Sequence, residues 1–393
     1  MNAERWRRTV LITLDGAGVG AMDDAAAYGD AGADTLGHVA EACGGLELPN
    51  LGRLGLGNIV PMVGVPAAEQ PAAAWGRMLE ASAGKDSTTG HWEIAGLVQD
   101  RPCPAYPQGF PPEIIDAISR AIGIEPIGNV AASGTEILRQ LGEEHCRTGR
   151  PIVYTSVDSV FQIAAHEQVV SVEKLYDICR VVRRTLDPYR ISRVIARPFV
   201  GDGADTFQRT SRRRDFSLPP NGTTLLDRFL SAGLEVFGVG KITDLFAGRG
   251  ISKTFKTGSN AEGMAQTLAA LGALERGLVF TNLVDFDMLY GHRRDAIGFG
   301  RALEAFDRWL PALLAALQPG DLLIVTADHG CDPTTPGTDH SRESVPLLCW
   351  HPQLTVGTSL GTRHCFADIA ATIAELYGLS MDHGQSFAAQ LVS

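Results

Sequence analysis

The sequence predicts an α/β protein with a mainly parallel sheet flanked by helices, plus an inserted smaller α+β cap domain. Apolar, β-branched runs at 9–14 and 322–325 indicate strands buried on both faces of a sheet. Helical patterns alternate with such runs in both halves of the chain. Two proline-rich stretches interrupt this alternation and flank a segment with a different pattern of helices and strands. We therefore expect a core domain at 1–101 and 221–393, and a cap domain at 102–220.

Composition limits the partners. The formal net charge of -11 over 393 residues opposes extended contact with nucleic acid or anionic lipid. A phosphorylated small-molecule substrate would need a local pocket of positive charge or metal. The seven cysteines include no CxxC pair, which suits reduced thiols and a cytoplasmic location. No apolar run reaches the roughly 18 residues of a membrane span.

The first strand, 9–14, ends at Asp15 and is followed by the glycine-rich residues 16–21. One interpretation is a dinucleotide fingerprint. The other is that Asp15 is a metal ligand beside a sharp glycine turn. The carboxylates that follow, and Gly29, favour the second interpretation because a pyrophosphate needs an uninterrupted helix start.

Hydroxyl side chains cluster at a probable helix start within 84–94. Ser87, Thr88 and Thr89 offer a nucleophile, and free backbone N–H groups there could hold a phosphate. Lys85 adds positive charge. Serine and threonine are also common helix N-caps, so a structural role is the alternative.

The inserted segment has its own strand and helix patterns. Strands are predicted at 152–154, 169–172 and 194–199, and an apolar stripe over 175–182 predicts a helix. Asp158 and His166 are candidates for contact with the substrate, and capping of a loop is the alternative role.

The α/β alternation then resumes. A strand at 234–239 precedes Lys241, which is placed to bind a phosphate. Another strand, 278–284, leads to Asp287 and His292. The remaining elements are a helix at 297–317, the strand at 322–325, a strand at 346–350 and a helix at 368–377.

The last buried strand of the parallel set ends at Asp328 and His329, and a Pro- and Gly-rich loop brings His340 back toward it. Ligands of α/β sheets bind at the carboxyl ends of strands. Three strands therefore carry metal-type ligands to one edge. The six are Asp15, Asp287, His292, Asp328, His329 and His340.

Six ligands suffice for two divalent ions, and such a pair can clamp a phosphoryl transfer. Carboxylate and imidazole without thiolate suit Mn²⁺, Zn²⁺ or Mg²⁺, and Mn²⁺ is favoured above four-coordination. A metal-bound hydroxyl loses its proton more readily and can then accept a phosphate. Cys331 is interpreted as a packing residue.

Long motifs over almost the whole chain resemble the phosphopentomutase family of the alkaline phosphatase superfamily. They are Asp15 and residues 32–38, 84–93, 132–137, 154–167, 284–295 and 326–340. The resemblance implies an alkaline phosphatase-like core, two Mn²⁺ ions and a phosphorylated hydroxyl.

On the pattern of that family, one ion is held by Asp287, His292 and His340. The other is held by Asp15, Asp328 and His329 together with the nucleophile. The nucleophile falls at Ser87, and Thr88 and Thr89 are the alternative hydroxyls.

The activity implied is reversible transfer of phosphate between C1 and C5 of ribose or 2-deoxyribose. It passes through phospho-Ser87 and a 1,5-bisphosphate, with a sugar bisphosphate as activator. Lys241, with Arg197 or Arg212, would hold the non-reacting phosphate. The residues expected to contact the sugar are Ser156, Asp158 and Val160.

Two alternatives remain. One is a cofactor-independent phosphoglycerate mutase or a metal-dependent phosphatase on the same core. The other is a non-catalytic metal-bound binding protein, which requires the segment 86–93 to lie far from the metal ligands.

Overall fold

Two compact units make up the protein. The structure is a computed structural model that describes residues 6–155 and 159–392. The first unit combines the chain up to Pro102 with the chain from Pro220 onward, and the second unit is Cys103–Pro219. Each unit is built on its own sheet.

The helices and strands follow one another along the chain. In order they are β1 (Arg8–Leu14), α1 (Thr35–Ala42), α2 (Pro49–Leu54), α3 (Leu56–Ile59), β2 (Ala74–Met78), α4 (Ser87–Ile94), α5 (Pro112–Ile122), β3 (Ile127–Ala131), α6 (Gly134–Thr148), β4 (Ile152–Thr155), β5 (Val160–His166), α7 (Val172–Leu186), β6 (Arg193–Val200), β7 (Gln208–Arg209), β8 (Arg214–Ser217), α8 (Leu225–Ser231), β9 (Glu235–Val239), α9 (Ile242–Leu245), β10 (Lys253–Phe255), α10 (Asn260–Ala273), β11 (Gly277–Leu283), α11 (Ala296–Ala316), β12 (Asp321–Thr326), β13 (Val345–Trp350), β14 (Ser359–Arg363), α12 (Ala367–Leu376) and α13 (Ala388–Leu391). Short 3₁₀ turns at Ala25–Tyr28 and Asp187–Tyr189 and a π-helical turn at Phe286–Gly291 complete the set.

The first unit contains an eight-stranded sheet in the order β10-β9-β11-β1-β12-β13-β2-β14. Only β13 runs antiparallel to its neighbours, so the predicted mainly parallel sheet is confirmed. The central strands are apolar on both faces because helices cover both sides, and Val10 and Ile324 are fully buried.

The registers of the three central strands align their carboxyl ends. Arg8 of β1 pairs with Gly277 of β11 and with Asp321 of β12. Since all three strands run parallel from these pairs, the residues that follow each strand emerge at the same edge of the sheet. This edge is where the predicted ligands lie.

The second unit contains a mixed six-stranded sheet, with β3, β4, β5, β6 and β7 in order and β8 also paired to β6. One face packs a core that includes Phe161, Leu175 and Val194, and the other packs a core that includes Ile137 and Phe199. The helices and strands of this unit agree with the α+β insert that the sequence predicts.

One predicted strand of the insert is wrong. Residues 169–172 do not form a strand: the N–H groups of Val169 and Val170 both donate to the His166 carbonyl, and Ser171 caps α7 at Lys174 N. Val169 and Val170 are residues typical of strands, which is why the sequence predicted one. In the structure they form a turn, and the Ser171 side chain caps the start of the helix that follows. The strand β5 lies instead at Val160–His166 and is buried throughout.

Among the described residues, no helix is both long enough and apolar enough to cross a membrane.

Candidate active site

Three buried side chains meet where β1 and β12 end. The Nε2 atom of His329 lies 3.4 Å from Asp15 Oδ1 and 3.2 Å from Asp328 Oδ2. All three side chains are excluded from solvent. Ligand atoms of this trio lie within 4.8 Å of one another, which fits a single cation. These are the three residues that the family resemblance assigns to one ion.

A second group adjoins the first around Asp287, in the π-helical turn after β11. Its Oδ2 is 3.3 Å from His292 Nε2, and its Oδ1 is 3.3 Å from His340 Nε2. The His340 ring stacks on the His329 ring with centroids 3.9 Å apart. All six predicted ligands therefore lie together in one cluster.

The donor atoms of this cluster fit divalent cations. Buried atoms that make no hydrogen bond within the described part of the chain include Asp15 Oδ1, Asp287 Oδ1, Asp328 Oδ2 and His340 Nε2. Buried polar atoms normally have a hydrogen-bond partner, so these four atoms indicate a site for a bound cation.

The orientation of two histidines agrees with that fit. His292 Nδ1 donates to the Thr338 carbonyl at 2.6 Å, and His329 Nδ1 donates to the Gly330 carbonyl at 2.9 Å. Each such bond fixes the tautomer and leaves Nε2 for a metal, as is usual for histidine ligands.

The carboxylates and imidazoles of the cluster shift one another's ionisation. Burial opposes the charge on Asp328, but His329 and His91 hold its pKa well below the usual range. Burial likewise opposes the charge on Asp287, and the neighbouring imidazoles of His292 and His340 hold its pKa well below the usual range. Both groups are thus anionic at neutral pH, as metal ligands must be.

Ser87 is the first residue of α4 and faces the cluster. Its Oγ lies 3.2 Å from His329 Nε2 and accepts a hydrogen bond from Lys241 Nζ at 3.0 Å. Thr89 Oγ1 instead donates to Asp86 at 2.6 Å. The geometry therefore favours Ser87 over Thr89 as the nucleophile.

Two of the backbone N–H groups that were expected to be free at this helix start already have an acceptor. The Asp86 side chain accepts from the N–H groups of Thr88 and Thr89 at 3.0 and 3.1 Å. An aspartate N-cap satisfies the amides that a phosphate would otherwise use. A phosphate on Ser87 would therefore need donors other than these two amides.

His91 and Asn282, which were not among the predicted site residues, lie directly behind the metal-type ligands. Asn282 Nδ2 donates to Asp15 Oδ2 at 3.0 Å and to His91 Nε2 at 3.3 Å. His91 Nδ1 in turn donates to the Ser87 carbonyl at 2.8 Å. The pair links the nucleophile helix to a ligand carboxylate. Only the position of His91, one helical turn after Ser87, signals this in the sequence.

Arg342 is a third residue of this region that was not among the predicted site residues. Its Nη1 donates to Glu80 Oε2 at 2.8 Å and to the Gly84 carbonyl at 2.6 Å. Arg342 lies shortly after His340 in the chain, and Gly84 lies shortly before Ser87. The guanidinium group therefore links the loop that carries His340 to the loop that precedes Ser87.

Cys331, interpreted from the sequence as packing, lies within reach of the second group. Its Sγ forms a possible ligand set with Asp287 and His292. Burial, followed by the nearby Asp287, raises the pKa of the Cys331 thiol far above its ordinary value. The thiol is therefore neutral as long as no metal is bound.

The residues predicted to bind substrate are divided between the units. Lys241 lies in the first unit, with its Nζ also 3.3 Å from Asp15 Oδ2. Val160, Arg197 and Arg212 lie in the second unit, where Arg212 pairs with Glu167. Ser156 and Asp158 fall outside the described residues. These substrate roles stay predictions.

His166, considered for substrate contact, has a structural position. It is buried, and its Nε2 donates to the Gly201 carbonyl at 2.9 Å.

Comparison with known proteins agrees with this geometry. Residues 7–381 match the family described as the Metalloenzyme superfamily, which defines the class of protein that the fold and the ligand cluster represent. A solved structure of the PH0037 protein from Pyrococcus horikoshii shares the fold, with a TM-score of 0.50 and 16% identity over 97% of this chain and 99% of that chain.

Sequence relatives narrow the assignment. A phosphopentomutase of Syntrophotalea carbinolica is 64% identical over all of both chains. A phosphopentomutase of Anaeromyxobacter sp. strain K is 58% identical over 98% of this chain and 99% of its own. The chain belongs to the phosphopentomutase family.

The binding-protein alternative fails on its own criterion. It requires the segment 86–93 to be remote from the metal ligands, yet Ser87 Oγ is 3.2 Å from His329 Nε2.

Proposed function

We propose that this enzyme is a phosphopentomutase that moves phosphate between C1 and C5 of ribose or 2-deoxyribose through phospho-Ser87. Its full-length identity to phosphopentomutases supports the activity. The position of Ser87 Oγ, between His329 Nε2 and Lys241 Nζ, is the observation that supports its role as nucleophile.

The reaction consists of two transfers. First, the bond between phosphorus and Ser87 Oγ breaks as a free sugar hydroxyl attacks, and this gives the 1,5-bisphosphate. Then Ser87 Oγ takes up the other phosphate, and the isomeric monophosphate leaves. A sugar bisphosphate therefore acts as an activator, because it can phosphorylate an unmodified Ser87.

Lys241 stabilises charge at the reacting oxygen. Its Nζ donates to Ser87 Oγ, so it is placed to offset the negative charge that develops there when the phosphoryl group departs. Preorganised charge of this kind lowers the barrier because no reorganisation is needed at the moment of reaction.

The metal assignment follows the ligand groups. Asp15, Asp328 and His329 would hold one Mn²⁺, and Asp287, His292 and His340 would hold the other. When bound, the ions supply positive charge that stabilises the transferring phosphoryl group and favours the ionised form of the nucleophile. Other divalent ions of similar preference are compatible with the same ligands.

The remaining contacts come from the substrate residues predicted above. Arg197 or Arg212 would hold the non-reacting phosphate, whereas Lys241, predicted for the same role, contacts the reacting oxygen instead. Ser156, Asp158 and Val160 would contact the sugar. Excluding water is part of their task, since water would otherwise hydrolyse the phosphoenzyme. The substrate is a small pentose phosphate, and the reduced cysteines suit the cytoplasm.

The test is a pair of matched alanine variants, Ser87→Ala and Thr88→Ala. Mn²⁺-loaded protein is incubated with ribose 5-phosphate and a trace of sugar bisphosphate, and ribose 1-phosphate is measured. Ser87→Ala should abolish turnover and phosphoenzyme formation with nearly normal metal content, whereas Thr88→Ala should keep both. A near-normal mutase rate in Ser87→Ala would show that Ser87 is not the nucleophile.

A further inference from the structure

A thiol group adjoins the metal-type ligands on the side of His292. Ligand atoms of Asp287, His292 and Cys331 lie within 4.8 Å of one another, a spacing that fits a single cation. Asp287 and Cys331 are buried, whereas His292 is partly exposed. The set offers one oxygen, one nitrogen and one sulfur atom. Its donor atoms therefore differ from the carboxylate and imidazole groups that are expected to hold Mn²⁺.

The π-helical turn at Phe286–Gly291 brings Asp287 and His292 to the same side. The His292 N–H donates to the Asp287 carbonyl at 3.0 Å, which is a hydrogen bond between residues five apart. Side chains with this spacing diverge in an α-helix, whereas the wider π turn places one above the other. As a result, His292 Nε2 lies 3.3 Å from Asp287 Oδ2. The turn thus fixes two ligands of the set.

The Cys331 side chain packs closely against two glycines. A Cβ added to Gly291 would lie 2.5 Å from Cys331 Sγ, and one added to Gly16 would lie 2.8 Å from Cys331 Cβ. A larger residue at either position would displace the thiol. The backbone of Cys331 is also fixed, because its N–H donates to Thr35 Oγ1 at 3.0 Å. The thiol therefore occupies a narrow slot next to Asp287.

The two other ligands have unused bonding capacity. Asp287 is 3% exposed, and its Oδ1 atom makes no hydrogen bond within the described part of the chain. His292 Nδ1 donates to the Thr338 carbonyl, so Nε2 carries the lone pair. A cation or a proton donor normally satisfies such atoms. Cys331 supplies a weak S–H donor or, once its proton has left, a third ligand.

The hardness of the donor atoms distinguishes this set from its neighbour. Asp287 also forms a compact set with His329 and His340, which contains only oxygen and nitrogen donors. The set with Cys331 adds sulfur, and thiolate ligands select softer ions such as Zn²⁺. His292 offers one nitrogen lone pair, so it serves one ion at a time. The identity of the metal therefore decides which set is used.

We propose that Asp287, His292 and Cys331 form a site for a thiophilic divalent cation of the Zn²⁺ class. Three protein ligands of these types leave a fourth position for water. On binding, the S–H bond of Cys331 breaks, its proton passes to solvent, and a bond between sulfur and the metal forms, because a coordinating thiol is deprotonated. The inference goes beyond the proposed function and needs only the ligand cluster.

Such an ion competes with Mn²⁺. The proposed function assigns Asp287, His292 and His340 to one Mn²⁺ ion. A Zn²⁺ ion that binds Cys331 takes His292 as well and leaves an incomplete set for Mn²⁺. Zn²⁺ should therefore inhibit the Mn²⁺-loaded enzyme, and it should do so through this thiol.

The test uses Co²⁺ as the probe. A bond between Co²⁺ and a thiolate gives a near-ultraviolet charge-transfer band that the oxygen and nitrogen ligands of the cluster do not give. Metal-free, full-length protein is titrated with Co²⁺ for the wild type, Cys331→Ser and Cys349→Ser. Cys349 is the matched control, since it is a fully buried thiol in β13 that belongs to no ligand set. Circular dichroism verifies that each variant is folded.

The wild type and Cys349→Ser should show the charge-transfer band, and Cys331→Ser should lack it. A wild type without the band would overturn the proposal, because Cys331 would then be only a packing residue or an S–H donor. A band that persists in Cys331→Ser would overturn it as well.

A competition assay measures the effect on catalysis. Zn²⁺ is titrated into the Mn²⁺-loaded enzyme with ribose 5-phosphate, and each rate is compared with the zinc-free rate of the same variant. The Zn²⁺ concentration for half inhibition should rise at least about 10-fold in Cys331→Ser, since even partners outside the ligand shell change metal affinity by that factor. Cys349→Ser should match the wild type.

An unchanged half-inhibition concentration in Cys331→Ser would overturn the competition with Mn²⁺. The Co²⁺ titration separates this inference from the mutase function, because it needs no turnover. A wild type that interconverts no pentose phosphate yet shows the thiolate band would reject only the proposed function.

Discussion

Replacement of Asn282 by leucine tests whether the residues behind the ligands control the metal site. Asn282 lies in β11 and is 1% exposed, so leucine of similar volume fits the site. The substitution removes both hydrogen bonds of the amide, one to the Asp15 carboxylate at 3.0 Å and one to His91 Nε2 at 3.3 Å.

The expected magnitude follows from those two bonds. A hydrogen bond to a charged group contributes about 1.5–3 kcal/mol, and a neutral one contributes about 0.5–1.5 kcal/mol. Because Asp15 would lose an orienting donor, the affinity for the ion at the site formed by Asp15, Asp328 and His329 should fall about 10-fold to 100-fold. The site around Asp287 should change little, since Asn282 makes no hydrogen bond to that group.

The assay is a titration of metal-free protein with Mn²⁺, followed by electron paramagnetic resonance, which counts free and bound ions. Asn50→Leu is the matched control, because Asn50 Nδ2 also donates to a carboxylate, Asp307, at 2.9 Å but lies outside the ligand cluster. Both variants should lose stability, and only Asn282→Leu should lose one high-affinity site. Two unchanged Mn²⁺ affinities in Asn282→Leu would refute the reasoning.

Three further predictions concern packing, ionisation and metal. Gly90→Ala places a Cβ 2.1 Å from the Asp328 carbonyl oxygen, so it should lower the free energy of unfolding by about 1–3 kcal/mol and also reduce activity. Gly272→Ala has open space around its Cβ and should raise the free energy of unfolding by about 0.5–1 kcal/mol. Thermal melts measure both changes, and equal melting temperatures of the two variants would contradict this prediction. Asp332→Asn should lower the pKa of His38, which an NMR titration measures. Burial lowers this pKa, and the 2.6 Å contact with Asp332 raises it above 6.5. The stability that this pair contributes is therefore present below the unfolded pKa and is lost as pH rises through the folded pKa. Mn²⁺ at 100 times its dissociation constant should stabilise the fold by about 2.7 kcal/mol per site, and a melting temperature indifferent to Mn²⁺ and to chelator would exclude specific binding.

Local pattern was sufficient for much of the first unit. The buried strands β1 and β12 are largely apolar runs, and a residue that can ligate a metal follows each of them, Asp15 after β1 and Asp328 after β12. Both properties follow from neighbouring residues, because a strand buried on two faces needs apolar side chains at every position. The mainly parallel sheet could therefore be predicted without coordinates.

The insert was less predictable, because its signals depend on what covers each strand. Residues 160–166 include polar side chains yet form a fully buried strand, while Val169 and Val170 lie in a turn. In a mixed sheet, burial comes from helices and strands distant in the sequence, so a short apolar run does not by itself distinguish a strand from a turn.

By itself, the sequence determined the α/β class, the family and the set of ligand-type residues at the strand ends. Only the tertiary structure decided which hydroxyl faces them, that Asp86 already occupies the helix N-terminus, and that Asn282 and His91 support the ligands. The reason is physical: these contacts join residues far apart along the chain, and their distances are set by packing rather than by any local preference.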